Sequence, residues 1–361
     1  MKFDLSNAFP EEVGDFMASL GEKPYRAKQL YHWVHNRHGV DFDEMANLPK
    51  ELRKRLAAAA FIGSPSISEK KTDGNGTIKY LFEMRNHNII DTNEVNGTES
   101  GSVFVESVLM DYRHGAAVCV STQAGCSMGC SFCSSGKSGL LRNLSPGEML
   151  GQVYAIAKDS GKTISNVTLM GCGEPLDNYT NTLRFIRLLS VPEGLGLGQR
   201  RITLSTCGLT KKILALAEEK LQITLAVSLH GPNDNIRLQL MPVARAFPMK
   251  GLLDACRVYG EKTKRRITFE YAMIMGKNDR TDHAAELAAK LSKILCHVNL
   301  LPMNPVSCAN GDKKLGLRPS PPNNISAFRD ILQKHGIETT IRRSLGSGIN
   351  AACGQLVAGM N

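Results

Sequence analysis

The sequence predicts an α/β protein, a partial (β/α)6 barrel with a small N-terminal helical module and a β-hairpin extension, on three observations. From residue 116 onward six strand-like runs alternate with helical patterns: Ala117 to Val120, Val167 to Met170, Ile202 to Ser205, Ile223 to Ser228, Ile267 to Ile274 and Val298 to Leu301. That alternation is the mark of strand–helix repeats around a parallel sheet. The first sixty residues read as helical instead, and residues 66–115 alternate apolar and polar side chains with the period of half-buried strands.

Residues 1–62 form the first expected unit. Leu30, Trp33 and Val34 recur at i, i+3 and i+4, and Leu52-Arg53-Lys54-Arg55-Leu56 places cations between apolar positions. Pro24, Tyr25, Arg26, Lys28, Tyr31, His32 and Arg37 interleave aromatics with cations. Such a pattern suits a surface that grips phosphates and stacks bases, and equally a solvated amphipathic helix packed on the next domain. Residues 63–115 follow as a strand or hairpin extension, with Thr77 to Phe82 and Val103 to Leu109 as strands and Asn86 to Gly101 as a polar loop. The barrel is expected over 116–344. Its first helix is marked by Ser145, Pro146 and Glu148, a capping box with proline at the first helical position. A cysteine-rich loop therefore joins strand one to helix one, and in parallel barrels chemistry gathers on such loops. Residues 345–361 are expected to be a C-terminal loop carrying Cys353.

The 361 residues, 42% of them hydrophobic, are enough for a sizeable core. The start lacks a basic-then-apolar signal layout, and the longest apolar stretch, Leu56 to Ile62, is too short to span a bilayer, so a cytoplasmic protein with no membrane partner is expected. Ten cysteines are too sparse for a disulfide scaffold. Forty-four Lys and Arg against 34 Asp and Glu give a net charge of +10 and a pI near 9.1, which favours a polyanionic partner without proving one.

Cys126, Cys130 and Cys133 lie in Gln123-Ala124-Gly125-Cys126-Ser127-Met128-Gly129-Cys130-Ser131-Phe132-Cys133. Three thiolates can grip a 4Fe-4S cluster and leave one iron open for an exchangeable ligand. Zinc is the alternative, but it favours paired hooks, and no second hook occurs nearby. The remaining polar motifs fall after successive strands. Gly173-Glu174-Pro175 offers a carboxylate to a cationic amine, or caps a tight turn; Ser205-Thr206 and Ser228-Leu229-His230 offer hydroxyl and imidazole groups to ribose or carboxylate. Cys353, among small residues, and Cys119, at the end of strand one, are candidates for reactive thiols or inert buried ones. Gly194, Gly196 and Gly198 precede a strand rather than follow one, which excludes a dinucleotide fingerprint.

The triad spacing resembles that of radical S-adenosylmethionine (SAM) enzymes. With Cys119-Val-Ser-Thr-Gln-Ala-Gly-Cys126, Arg142-Asn143-Leu144, the three strand-end motifs, Asn299 to Pro305 and Ala351 to Leu356, the chain from about Gly21 to Leu356 resembles the radical SAM rRNA adenosine C2-methyltransferases. The resemblance implies a radical SAM barrel and a 4Fe-4S cluster on Cys126, Cys130 and Cys133. It implies two SAM per turnover, bound at positions matching Gly173, Glu174, Ser205, Ser228, Leu229, His230 and Asn304. It further implies ping-pong transfer in which Cys353 is methylated, Glu106 accepts a proton, and Cys119 resolves a covalent RNA adduct through a transient Cys119–Cys353 disulfide. The implied partners are 23S rRNA, a tRNA anticodon-loop adenosine as a second substrate, and an electron donor such as flavodoxin or ferredoxin; a monomer is expected. Two rivals stay open: a C8-methylating resistance-type enzyme with similar machinery, and a non-catalytic RNA-binding or ribosome-assembly protein with a structural metal. The segment Gly346 to Asn350 lacks the acidic residues usual in the family.

Overall fold

The computed structural model describes residues 2–84, 102–112, 115–137, 139–304, 317–343 and 345–360; the expected polar loop at 86–101 lies outside them. The N-terminal module holds α1 (Pro10–Ser19), α2 (Pro24–His35) and α3 (Lys50–Ala59), closed by the short parallel pair β1 (Phe3–Asp4) and β2 (Ala60–Phe61). Leu5, Met17, Leu30, Leu52 and Leu56 are its core. Tyr31 belongs to that core, stacked on His35 with ring centroids 4.3 Å apart, so it cannot stack bases. Tyr25 remains exposed, with the Arg26 guanidinium 4.8 Å from its ring centroid.

The module docks on the barrel through polar contacts. The Gly147 N–H donates to Asn7 Oδ1 at 2.5 Å, Arg184 Nε donates to the Asn7 carbonyl at 2.8 Å, and Arg184 pairs with Glu12. His35 Nε2 lies 3.0 Å from the Leu5 carbonyl, which can only accept, so Nδ1 accepts from the Tyr154 hydroxyl at 3.1 Å.

An 11-stranded sheet organises the rest. Its antiparallel flank is β3 (Ser66–Thr72), β4 (Ile78–Met84) and β5 (Val103–Tyr112), which pairs with β6 (Gly115–Cys119). A small ladder of β7 (Gln123–Gly125) and β8 (Leu140–Asn143) frames the cysteine loop before α4 (Pro146–Ser160). Then come β9 (Ile164–Leu169), α5 (Tyr179–Leu189), β10 (Ile202–Thr206), α6 (Thr210–Glu218), β11 (Thr224–Ser228), α7 (Asp234–Leu240) and α8 (Met249–Thr263). The chain continues through β12 (Ile267–Met273), α9 (Thr281–Leu291), β13 (Cys296–Pro302), α10 (Pro322–Lys334) and β14 (Glu338–Ile341). Finally β15 (Ala358–Met360) adds antiparallel to β5.

The six expected barrel strands are parallel in the order β6-β9-β10-β11-β12-β13, and β14 extends them as a seventh. The sheet edges are β3 and β14, so the barrel is partial, as its six repeats predicted. The hairpin extension is continuous with this sheet through the β5–β6 ladder. The capping box forms: Ser145 Oγ accepts from the Glu148 N–H at 3.2 Å, and Glu148 Oε2 accepts from the Ser145 N–H at 2.8 Å. Val167, Leu204, Leu225, Phe269 and Val298 face Met149, Phe185, Ile213 and Leu252 in one large core. Each fully buried side chain of this kind contributes roughly 1.5–3 kcal/mol.

Candidate active site

The site lies where the parallel strands end. After Cys119 the chain turns through β7, and Gly125 takes φ +75° because a Cβ there would sit 1.9 Å from the Gly139 carbonyl oxygen. That carbonyl accepts the Cys126 N–H at 2.9 Å. Cys133 N–H donates to the Cys130 carbonyl at 3.1 Å, and Ser131 N–H to the carbonyl of Leu240, the last residue of α7, at 2.9 Å. The loop is thus a compact turn tied down at three points, and Cys126, Cys130 and Cys133 all face one cavity with about 1030 Å³ of empty space including its open mouth. Burial pushes the Cys126 thiol up to about 11 and raises Cys130 further, so iron binding would have to displace their protons. Among the described residues no three His, Cys, Asp or Glu side chains are gathered tightly enough to hold a single metal ion. Three soft donors spread over one cavity wall suit a multi-iron cluster better than one zinc.

Gly173, Glu174, Ser205, Ser228, His230, Asn304 and Cys353 line the same cavity. The Glu174 carboxylate accepts from the Leu176 N–H at 3.0 Å and the Cys207 N–H at 2.7 Å. It therefore caps its own turn while facing the cavity; burial raises its pKa, and these N–H groups oppose the rise. His230 sits at φ +52° with Nδ1 accepting the Ala272 N–H at 2.9 Å and its ring edge-on to Phe132, centroids 4.7 Å apart. Burial first, and Arg237 second, lower its pKa to about 3, so the imidazole is neutral.

A second cavity adjoins the first. Cys119 lines it, and Cys353, Asn304, Arg342 and Met170 line both. Cys353 is exposed where the cavities meet, and neither it nor Cys119 is in a disulfide. Burial pushes the Cys119 thiol up to about 12; the protein crowding Cys353 raises that thiol too, and the Arg342 cation opposes the rise at both. The Cys353 segment is pinned to the cysteine loop, with Ser134 N–H donating to the Gly354 carbonyl and Ser135 Oγ to the Leu356 carbonyl, each at 2.8 Å.

Two expected site residues stand apart. Leu229 is core, its N–H donating to the Glu270 carbonyl at 3.0 Å. Glu106 lines neither cavity: Oε1 pairs with Lys79 Nζ at 2.7 Å and Oε2 accepts the Val357 N–H at 3.0 Å. Sequence reasoning missed Glu270 and Arg342, which face the larger cavity. Glu270 was legible as a lone charge inside an apolar strand; Arg342 follows β14, a strand that was not read.

Residues 3–62 match the family model of the ribosomal RNA large subunit methyltransferase N-terminal domain, and residues 120–288 that of the radical SAM superfamily. The chain is 48% identical over 348 residues to a probable dual-specificity RNA methyltransferase RlmN of Clostridium tetani, covering 96% of this chain and 93% of that one. The RlmN of Thermoanaerobacter sp. is 44% identical over 98% of this chain and 97% of its own. A crystal structure of a radical SAM methyltransferase from Sphaerobacter thermophilus superposes with a TM-score of 0.88 at 42% identity, covering 98% of this chain and 99% of that one. The chain therefore belongs to the RlmN family of dual-specificity RNA methyltransferases, within the radical SAM superfamily.

Proposed function

We propose that this protein methylates C2 of an adenosine in 23S rRNA, and of a tRNA anticodon-loop adenosine, by ping-pong transfer through Cys353. The observation that carries the reading is that Cys353 lines both the cavity of Cys126, Cys130 and Cys133 and the cavity of Cys119. One thiol can thus meet a methyl donor on one side and a second thiol on the other.

Cys126, Cys130 and Cys133 would hold the 4Fe-4S cluster. Gly173, Glu174, Ser205, Ser228, His230 and Asn304 would hold SAM, Glu174 meeting its ammonium and the hydroxyl, imidazole and amide groups its ribose and carboxylate. Leu229 would act only through the backbone between two of these residues. In the first half-reaction the Cys353 thiolate attacks the sulfonium methyl, the carbon–sulfonium bond breaks, and S-adenosylhomocysteine leaves. When bound, the group held by those cysteines would supply the electron for cleavage of a second SAM to methionine and a deoxyadenosyl radical, which would take a hydrogen atom from the S-methyl group of Cys353 and leave as deoxyadenosine. The carbon radical left on Cys353 adds to adenine C2, a carbon too poorly nucleophilic for direct displacement. Glu106 takes the C2 proton, which requires the Val357 N–H to release its carboxylate when RNA enters. The adduct must also shed its odd electron, which the oxidised cluster would take back. The Cys119 thiolate then attacks the Cys353 sulfur, the carbon–sulfur bond breaks, the freed methylene carbon takes a proton to become the methyl group, and a transient disulfide is left.

Residues 1–62 would serve as an RNA-binding module, with 63–115 as extension, 116–344 as barrel and 345–361 as the loop of the methyl carrier. No helix among the described residues is long and apolar enough to cross a membrane. The setting we propose is the cytoplasm, with a monomer reduced by flavodoxin or ferredoxin. Its substrate adenosine must leave its stack to reach Cys353.

The test is anaerobic reconstitution with iron and sulfide, then reaction with SAM, reductant and unmodified rRNA or tRNA, read by nucleoside mass spectrometry. The expected product is 2-methyladenosine, absent from the Cys353→Ala variant. 8-Methyladenosine would overturn the regiochemistry. No methyladenosine and no deoxyadenosine from a cluster-loaded protein would overturn the reaction.

A further inference from the structure

We propose that Arg237 is an electrostatic positioning residue for the iron–sulfur site, a fixed buried cation that helps to hold an anionic cluster at Cys126, Cys130 and Cys133 and favours its reduced state. The inference rests on the reading of those three cysteines as cluster ligands.

Arg237, on α7, is 0% exposed and heads the fully buried side chains by volume. Its guanidinium has no carboxylate partner among the described residues. Nη2 donates to the Cys207 carbonyl at 2.6 Å and Nη1 to the Phe247 carbonyl at 2.9 Å, while Nε has no partner among the described residues. Asp234, on the same helix, lies within electrostatic reach of the guanidinium but makes no ion pair with it, its carboxylate accepting the Met249 N–H at 2.7 Å. Carbonyl groups solvate a guanidinium but do not neutralise it, and a buried charge without an ion-pair partner is costly.

The position of Arg237 points to a further anion beside it. Its acceptor Cys207 lines the cysteine cavity, and Leu240, at the end of the same helix, accepts from both Ser131 N–H at 2.9 Å and Ser131 Oγ at 3.3 Å, between two of the triad cysteines. Gly208 keeps the seat open at φ +107°, since a Cβ there would lie 3.1 Å from Arg237 Nη2 and 2.9 Å from Leu252.

Three thiolates outweigh a dipositive 4Fe-4S core by one negative charge, and reduction adds another. A low-potential donor passes one electron to the cluster and no bond forms or breaks, so a nearby fixed cation favours the reduced side. Glu174 and Glu270, which face the same cavity, act in the opposite sense.

The experiment is a dithionite titration of the reconstituted full-length protein without SAM, followed by visible absorption and electron paramagnetic resonance. Iron and sulfide per chain are counted first. Arg237→Gln should lower the reduced-to-oxidised ratio at a fixed potential at least tenfold, ~59 mV for a one-electron couple. Arg237→Lys should stay near wild type. Cys256→Asp is a second route: Cys256 is buried within the field of Arg237 and lines no part of the cavity, so a carboxylate there neutralises the cation in place. It should move the ratio in the same direction. Folded neutralised variants that lose iron would show the same dependence in its stronger form. A loaded variant whose ratio stays within threefold of wild type overturns the proposal, and unfolding of both neutralised variants assigns Arg237 to packing and also overturns it. A wild-type protein that takes up no iron and sulfide overturns the cluster reading itself.

Discussion

Lys79→Met tests how the Cys353 segment is held. Lys79 Nζ pairs with Glu106 Oε1 at 2.7 Å and also donates to the Asn350 carbonyl at 3.3 Å, while Glu106 Oε2 accepts the Val357 N–H at 3.0 Å. One ion pair thus clamps the chain three residues before Cys353 and four residues after it. The two side chains are only 11% and 7% exposed, so solvent screens the pair little. Removing one partner of a buried pair costs about 3–5 kcal/mol, because the remaining charge is left uncompensated. Here Glu106 keeps one backbone donor, which places the cost near the low end, at about 3 kcal/mol. If that loss is local, amides of residues 351–357 should exchange with deuterium about a hundredfold faster than in wild type, since ~1.4 kcal/mol is a factor of ten. The amides of Tyr80 and Val105, in the ladder between β4 and β5, should change little. Adding Glu106→Gln to Lys79→Met removes the stranded charge and should recover much of the protection. Exchange within threefold of wild type in the single variant, or no recovery in the double variant, would refute the clamp.

Three further outcomes follow from the same geometry. Gly125→Ala would force a Cβ to 1.9 Å from the Gly139 carbonyl oxygen at a left-handed φ, so the reconstituted variant should hold less than about a tenth of wild-type iron while far-UV circular dichroism is kept. Cys119→Ala should still allow methylation of Cys353 but retain RNA covalently, seen as a slowed band on a denaturing gel; free methylated RNA at the wild-type rate would remove Cys119 from the reaction. His35, facing Tyr31, Tyr154 and His38, has its pKa lowered to about 4, chiefly by burial. Because that value lies below the unfolded value of 6.5, its contribution is complete above pH 6.5 and is lost as pH falls towards 4, a change of about 3 kcal/mol. Urea unfolding followed by Trp33, the single tryptophan, should show a stability loss between pH 6.5 and 4 that is smaller by about 3 kcal/mol in His35→Gln, the remainder coming from His230; equal losses would contradict it.

What could be read from the chain alone was whatever is encoded within a few residues. The six barrel strands carry runs of β-branched and apolar residues bounded by helical patterns, and the Ser145 box and the cysteine spacing are local patterns read within a dozen residues. β14 was missed because only Thr339 of its four residues is buried, so it shows no apolar run. β7 and β8 are three and four residues long and exist to brace a loop. Base stacking and helix packing stayed equally open for Tyr31 because one helix face does not reveal that His35 stacks on it inside the module core.

The arrangement around Cys353 marks the limit more sharply. Its loop is held by Ser135, Lys79 and Glu106, partners 221, 271 and 251 residues away in sequence from the atoms they bind. No window of sequence contains such a contact. The family resemblance implied that Cys353 and Cys119 act in one reaction, whereas the meeting of two cavities at Cys353 depends on β15 pairing with β5 and on the cysteine loop accepting the tail. The superfamily is therefore legible from cysteine spacing, whereas the hold of Lys79 and Glu106 on the tail is a property of tertiary contacts. The Lys79→Met exchange experiment addresses that hold directly.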